Sequence, residues 1–155
     1  MSSLLKILIQ HHQKNKQRAR QFFFLKACMA ASAVVAVADG HACRREALAV
    51  TTLTKTLDEL KIFDSGHASG VYADFVNMLS KDPEAGLDAA MKAIDAVRGD
   101  EELTQLLVMI CRTISEADGI VRPQEVDAIE HICGLLHIDP ESVKALEINL
   151  QAEIY

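Results

Sequence analysis

Apolar residues in this chain recur mainly at spacings of three and four, and no long alternation of Val, Ile or Thr with polar residues occurs. That periodicity predicts helices and no sheet. Helices are expected over about 4–12, 20–38, 44–60, 68–79, 83–97, 101–117, 123–137 and 141–153, joined by short links. Asp82-Pro83-Glu84 is a strong start signal: Asp caps, Pro takes the first helical position, and Glu favours the positive end of the helix dipole. Asp139-Pro140-Glu141 repeats it, with Ile138 placed to staple the helix entry. Asp39-Gly40, Gly99 and Asp118-Gly119 are the breaks. Ser65-Gly66 punctuates a connector over 61–64. The expected fold is all-α, a compact bundle of about seven to eight helices.

Part of the pattern occurs twice. Ala38-Asp39-Gly40 is followed by Glu46, and Ala117-Asp118-Gly119 by Glu125, 79 residues later. The same shift pairs Ala49 with Ala128, Val50 with Ile129, Leu53 with Ile132 and Leu57 with Leu136, which is one apolar helix face in each copy. An internal duplication of helix-turn-helix units follows, with the plainer alternative that Asp-Gly ends helices in many unrelated proteins.

An acid at a helix end and another one turn into the next helix, used twice, suggests a cation site. Asp39, Glu46, Asp118 and Glu125 are the candidate metal ligands. The step from Asp-Gly to Glu matches the second half of a calcium-binding EF-hand loop, and Val121 falls at its apolar position. The first half does not match: Val35 and Val37, and Ile114 and Glu116, stand where the leading oxygen ligands belong. Neither loop completes a calcium site alone. Two half-sites facing each other would supply four carboxylates converging within roughly 10 Å, a set suited to calcium, magnesium or manganese. The alternative is structural. Glu46 and Glu125 lie near helix starts, where acids favour the dipole, and Asp39 and Asp118 can bond within their own turns.

Other constellations are weaker. His41 and Cys43 beside Asp39 would suit zinc, but Ile120 and Arg122 replace them in the second copy. Glu130, Cys133 and His137 share a helix face, yet Cys133 also continues the apolar row of Val126, Ile129 and Leu136. Cys28 and Cys111 lie in apolar helices and read as small core residues. No nucleophile-and-base set, phosphate loop or dinucleotide fingerprint is present, so no catalytic residue is expected. An enzyme acting through Cys43 on an oxyanion has no resolving thiol near it in sequence.

Charge divides the chain. Residues 1–26 hold six Lys or Arg and no acid; the rest holds ten basic residues against 22 acidic ones, giving +6 and −12. This head, with Leu4, Leu5, Ile7, Leu8 and Ile9, suits peripheral contact with an anionic membrane. The plainer alternative is a first helix that covers the core and leaves a solvated basic exit. Nucleic acid is not expected as a partner, since the acidic body repels phosphate. The four Cys sit at no metal spacing and no secretory signal is evident, which suggests reduced thiols in a cytoplasmic protein. No apolar run reaches the ~20 residues of a membrane span. The expected organisation is a basic amphipathic segment, 1–26, packing on or leading into a helical domain, 27–155. A homodimer stays open.

Two stretches carry a family resemblance. One runs from Val35-Ala36-Val37-Ala38-Asp39-Gly40 through Glu46 to Asp58-Glu59-Leu60-Lys61-Ile62-Phe63-Asp64. The other is Ser115-Glu116-Ala117-Asp118-Gly119 through Glu125, then Ile132-Cys133-Gly134-Leu135-Leu136-His137-Ile138-Asp139-Pro140. From about residue 20 to 141 the chain resembles the tellurite-resistance TerB family. The resemblance implies a duplicated all-helical cytoplasmic domain linked to stress responses. It also implies a metal or ligand site at the acidic turns, and partners that include an integral membrane protein of the TerC type. Asp39, Glu46, Asp118 and Glu125 match its acidic pattern. The first loop departs from it by carrying His41-Ala42-Cys43-Arg44-Arg45, whose arginines lower the local negative charge. The expected function is a non-enzymatic protein with a carboxylate-lined site for calcium, magnesium, manganese or zinc and a partner-docking role. The alternative is a pure interaction module whose acids only cap helices.

Overall fold

The computed structural model describes residues 3–38, 48–50, 52, 65–116, 119–120 and 122–143, the side chains of 14–19 and 65–66 excepted. Within them the chain is all-α, as expected, with helices α1 (Ser3–Ala36), α2 (Ser65–Lys81), α3 (Pro83–Asp95), α4 (Glu101–Ser115) and α5 (Pro123–Leu136) and a 3-10 turn, Pro140–Ser142. Residues 48–50 and 52 are helical too, and Ala49 and Val50 are buried. The internal duplication cannot be read from these elements, because the first unit's loop and most of its second helix lie outside the described residues. The helix expected over 141–153 does not begin where expected: Pro140–Ser142 is a 3-10 turn and Val143 after it is extended, and the rest of that segment lies outside the described residues.

One helix replaces the two expected over 4–12 and 20–38. The polar stretch between them, 13–19, reads as a link, yet it holds no Gly or Pro, and its Gln, Lys and Arg residues are strong helix formers. α1 therefore runs unbroken for 34 residues. Its two halves differ. Every described side chain from Ser3 to Gln13 is exposed, whereas from Phe24 to Ala36 all but Lys26 are buried. A helix apolar nearly all round must lie inside. α1 is accordingly the central helix, with α2, α3, α4 and α5 all packed on it. The small side chains of Ala27, Ala30, Ala31 and Ala33 allow those neighbours to come close.

The surrounding helices bury the faces that their periodicity predicts. α2 turns Ala68, Tyr72, Phe75 and Leu79 inward, and α4 does so with Leu103, Leu107, Ile110, Cys111 and Ile114. Asp82 caps α3 as expected, accepting a hydrogen bond from the Ala85 amide at 3.2 Å. The corner it makes is tight. A Cβ on Gly86 would lie 2.7 Å from the Leu79 backbone, so only glycine lets α2 and α3 meet there. Asp100 caps α4, accepts from the Leu103 amide, and pairs with Arg20 of α1 at 3.0 Å. α5 ends in a Schellman motif: the Ile138 amide donates to the Cys133 carbonyl and the His137 amide to that of Gly134. His137 there takes the left-handed position, φ 58°. Asp139 then caps the 3-10 turn, whose Pro140 carbonyl accepts a hydrogen bond from the Arg112 guanidinium.

Candidate functional site

The second Asp-Gly unit lies between α4 and α5. Glu116 closes α4, its amide bonded back to the Arg112 carbonyl. Gly119 reverses the chain with φ 79°, a left-handed conformation that a side chain resists. Arg122 is extended, Pro123 occupies the first position of α5, and the amides of Glu125 and Val126 both donate to the Arg122 carbonyl. Ala117, Asp118 and Val121 are outside the described residues.

Glu125 occupies the inner face of α5 and is 0% exposed. It starts the buried row Glu125, Ile129, Ile132 and Leu136. The apolar row expected from Val126 therefore begins one residue earlier, on an acid, and Val126 points outward. Arg122 places its guanidinium 3.6 Å from the Glu125 carboxylate. An acid in a helix's first turn is favoured by the dipole wherever its side chain points. Burial is a separate matter. Glu84 and Glu101, in the first turns of α3 and α4, are exposed. Capping alone thus leaves acids at the surface of this protein, and Glu125 differs.

Of the first unit, the structure describes only the approach. α1 ends at Ala36, and the Val37 and Ala38 amides donate back into the helix. Asp39, His41, Cys43 and Glu46 lie outside the described residues. Their flank is nonetheless informative. Val37 and Ala38 line a groove of about 560 Å³ whose other walls include Leu79, Leu87, Met91 and the α5 residues Gln124, Asp127 and His131. The residue just before the first Asp-Gly turn and the first turn of the helix after the second thus border one groove. Of the four candidate ligands, one is described; among the described residues no three His, Cys, Asp or Glu side chains cluster as a metal group.

The groove was not legible in the sequence, since Gln124, Asp127 and His131 read as solvated helix positions. It exists because α5 crosses the end of α1, a contact between residues about 90 apart that no local pattern encodes. The thiols behave as expected of core residues. Cys111 and Cys133 are buried, and burial pushes both thiols up from their ordinary value, so neither is a ready nucleophile. Glu130, Cys133 and His137 form no site: Cys133 is in the core while Glu130 and His137 are exposed.

The family model described as tellurite resistance protein TerB matches residues 25–148, which includes both Asp-Gly units and every described element except α1 before Leu25. The chain belongs to the TerB family. No curated protein and no solved structure is significantly similar to it. The TerB match begins where α1 enters the core, one residue after the buried Phe24. Among the described residues, no helix is long and apolar enough to cross a membrane.

Proposed function

We propose that this TerB-family chain is a non-enzymatic stress-response protein that binds a divalent cation at its paired acidic turns and docks onto a partner. Its cellular role would be in tellurite resistance. The observation that carries the reading is the complete burial of Glu125 in the first turn of α5, where other first-turn acids stay exposed. A carboxylate withdrawn from water must be paired or coordinate a cation. Ala38, just before the first turn, and Gln124, just after the second, line one groove, which supports the reading that the two pairs of acids lie near each other. Carboxylate donors suit calcium, magnesium or manganese better than zinc. Such a cation would act by bridging the carboxylates of the two turns. The TerC-type membrane protein is the partner that the family resemblance supports.

The Arg122 guanidinium, 3.6 Å away, favours the second reading, in which Glu125 is a structural ion pair and the protein a plain interaction module. Thermal melts separate the two. A cation binding the folded state at a hundredfold excess over Kd adds about 2.7 kcal/mol, which raises the Tm by roughly 5–10 °C for a chain of this size. Calcium, magnesium, manganese and zinc should be compared on the wild type and on Asp118→Asn. A shift in the wild type that Asp118→Asn abolishes supports the cation site; no shift with any ion, or equal shifts in both proteins, supports the ion-pair reading.

A further inference from the structure

The described side chains in the first three turns of α1 are all exposed, and they include Leu4, Leu5, Ile7, Leu8 and Ile9 with one cation, Lys6. Leu4 is 66%, Ile7 60% and Leu8 56% exposed. With about 3.6 residues per turn, these three share one side of the helix, while Lys6 stands on the opposite side with the less exposed Leu5 and Ile9 toward it. Phe24, where the core begins, lies roughly 30 Å along the helix from Ser3 at a rise of about 1.5 Å per residue. The sequence adds Lys14, Lys16 and Arg18 between the apolar tip and the body, and no acid anywhere before residue 27.

We propose that this arm binds an anionic lipid surface, with Leu4, Ile7 and Leu8 entering the headgroup boundary and the cations set against lipid phosphates. Charge decides between this occupant and a second copy of the chain. Two arms side by side would bring basic stretches together with no acid between them to relieve the repulsion. The polar run from Gln10 to Arg18 also interrupts any apolar seam that could join them. An anionic membrane meets both needs of the arm, an apolar layer for the tip and phosphates for the cations. The acidic body does not cancel the attraction: the tip is roughly 30 Å from the core along the helix, and the Debye length at physiological salt is about 8 Å. The body's own charge instead keeps it off the surface, so the arm is the part that touches. No described helix can span the bilayer, which leaves contact at the interface. The inference is independent of the cation site.

The test is flotation of the 155-residue chain with vesicles of equal parts phosphatidylglycerol and phosphatidylcholine, and with phosphatidylcholine alone. Binding should occur with the first and fall as salt rises. Leu4→Glu/Leu8→Glu should lose it, and because both residues are exposed the variant should melt like the wild type. Replacing Lys14, Lys16 and Arg18 by Gln should weaken binding roughly a hundredfold, at roughly fivefold per cation. Equal binding to both vesicles, or retention by Leu4→Glu/Leu8→Glu, overturns the proposal. So does absence of vesicle binding together with a dimer, seen in sedimentation, that Leu4→Glu/Leu8→Glu dissociates.

Discussion

The carboxylate of Glu125 is wholly buried, and the guanidinium of Arg122, three residues before it and a third exposed, lies 3.6 Å away. The pair spans the first turn of α5, directly after the second Asp-Gly turn. Arg122 is therefore both the residue that supports the buried charge and the one that a cation on Glu125 would have to displace or tolerate.

Arg122→Ala should destabilise the protein by about 3 kcal/mol, the low end for breaking a buried ion pair, because Arg122 is partly solvated. Denaturant unfolding measures it. If Glu125 also takes a cation, the stabilisation by manganese or calcium should be larger in Arg122→Ala than in the wild type, since a competing positive charge is gone. An unchanged cation effect would separate Arg122 from the cation site.

Gly86→Ala should cost about 1–3 kcal/mol, the range for overpacking. Alanine is ordinarily the better helix former, but here its methyl would lie 2.7 Å from backbone atoms of Leu79, which cannot rotate away. A midpoint in urea equal to or above that of the wild type would show that the α2–α3 corner opens freely.

Arg20 holds the Asp100 carboxyl below its ordinary value, chiefly through their hydrogen bond and helped by the Leu103 amide, while partial burial opposes the shift. A carboxyl with a lowered folded-state pKa stabilises the fold above its unfolded pKa of about 3.9, and that contribution is lost as pH falls through the lower folded-state value. The pair is largely solvated, so Arg20→Ala should cost only about 0.5 kcal/mol at neutral pH. The difference from wild type should vanish in acid. A difference that persists unchanged at pH values below the folded-state pKa would assign the effect to packing of the Arg20 stem.

His137 holds the left-handed position at the end of α5, where glycine is the usual residue. His137→Gly should therefore raise stability by about 1 kcal/mol. A lower Tm would mean that the imidazole makes a compensating contact.

What was legible in the sequence follows the range of the forces involved. Asp82-Pro83 marks a helix start because caps and proline act locally, and α3 starts there; the same signal at Asp139-Pro140 starts only a 3-10 turn, with Val143 extended after it, and not the helix expected. The inner faces of α2 and α4 follow from apolar spacing alone. The single long α1 is not legible because its polar middle reads as a break, although a polar run without Gly or Pro continues a helix as well as an apolar one. Glu125 was legible as a candidate ligand but not as a buried residue: burial of an acid is imposed by α5 packing on the core, and the apolar row gives a Glu no place in it. The groove joining Ala38 to Gln124 depends on a crossing of helices distant in sequence. The doublet of Asp-Gly-to-Glu units is the sequence feature from which the proposed cation site is argued.

Cation binding by the paired acidic turns, through Glu125 and its neighbours, is the proposal on which the functional reading depends. Manganese titration followed by electron paramagnetic resonance tests it directly, because the signal of the free ion is lost on binding. The account predicts a saturable loss ending near one ion per chain. It also predicts affinity at least tenfold weaker in Asp118→Asn/Glu125→Gln, that variant being shown folded by its helical signal and cooperative melt. Full retention of the free-ion signal by the wild type, or equal binding by the folded variant, would contradict it.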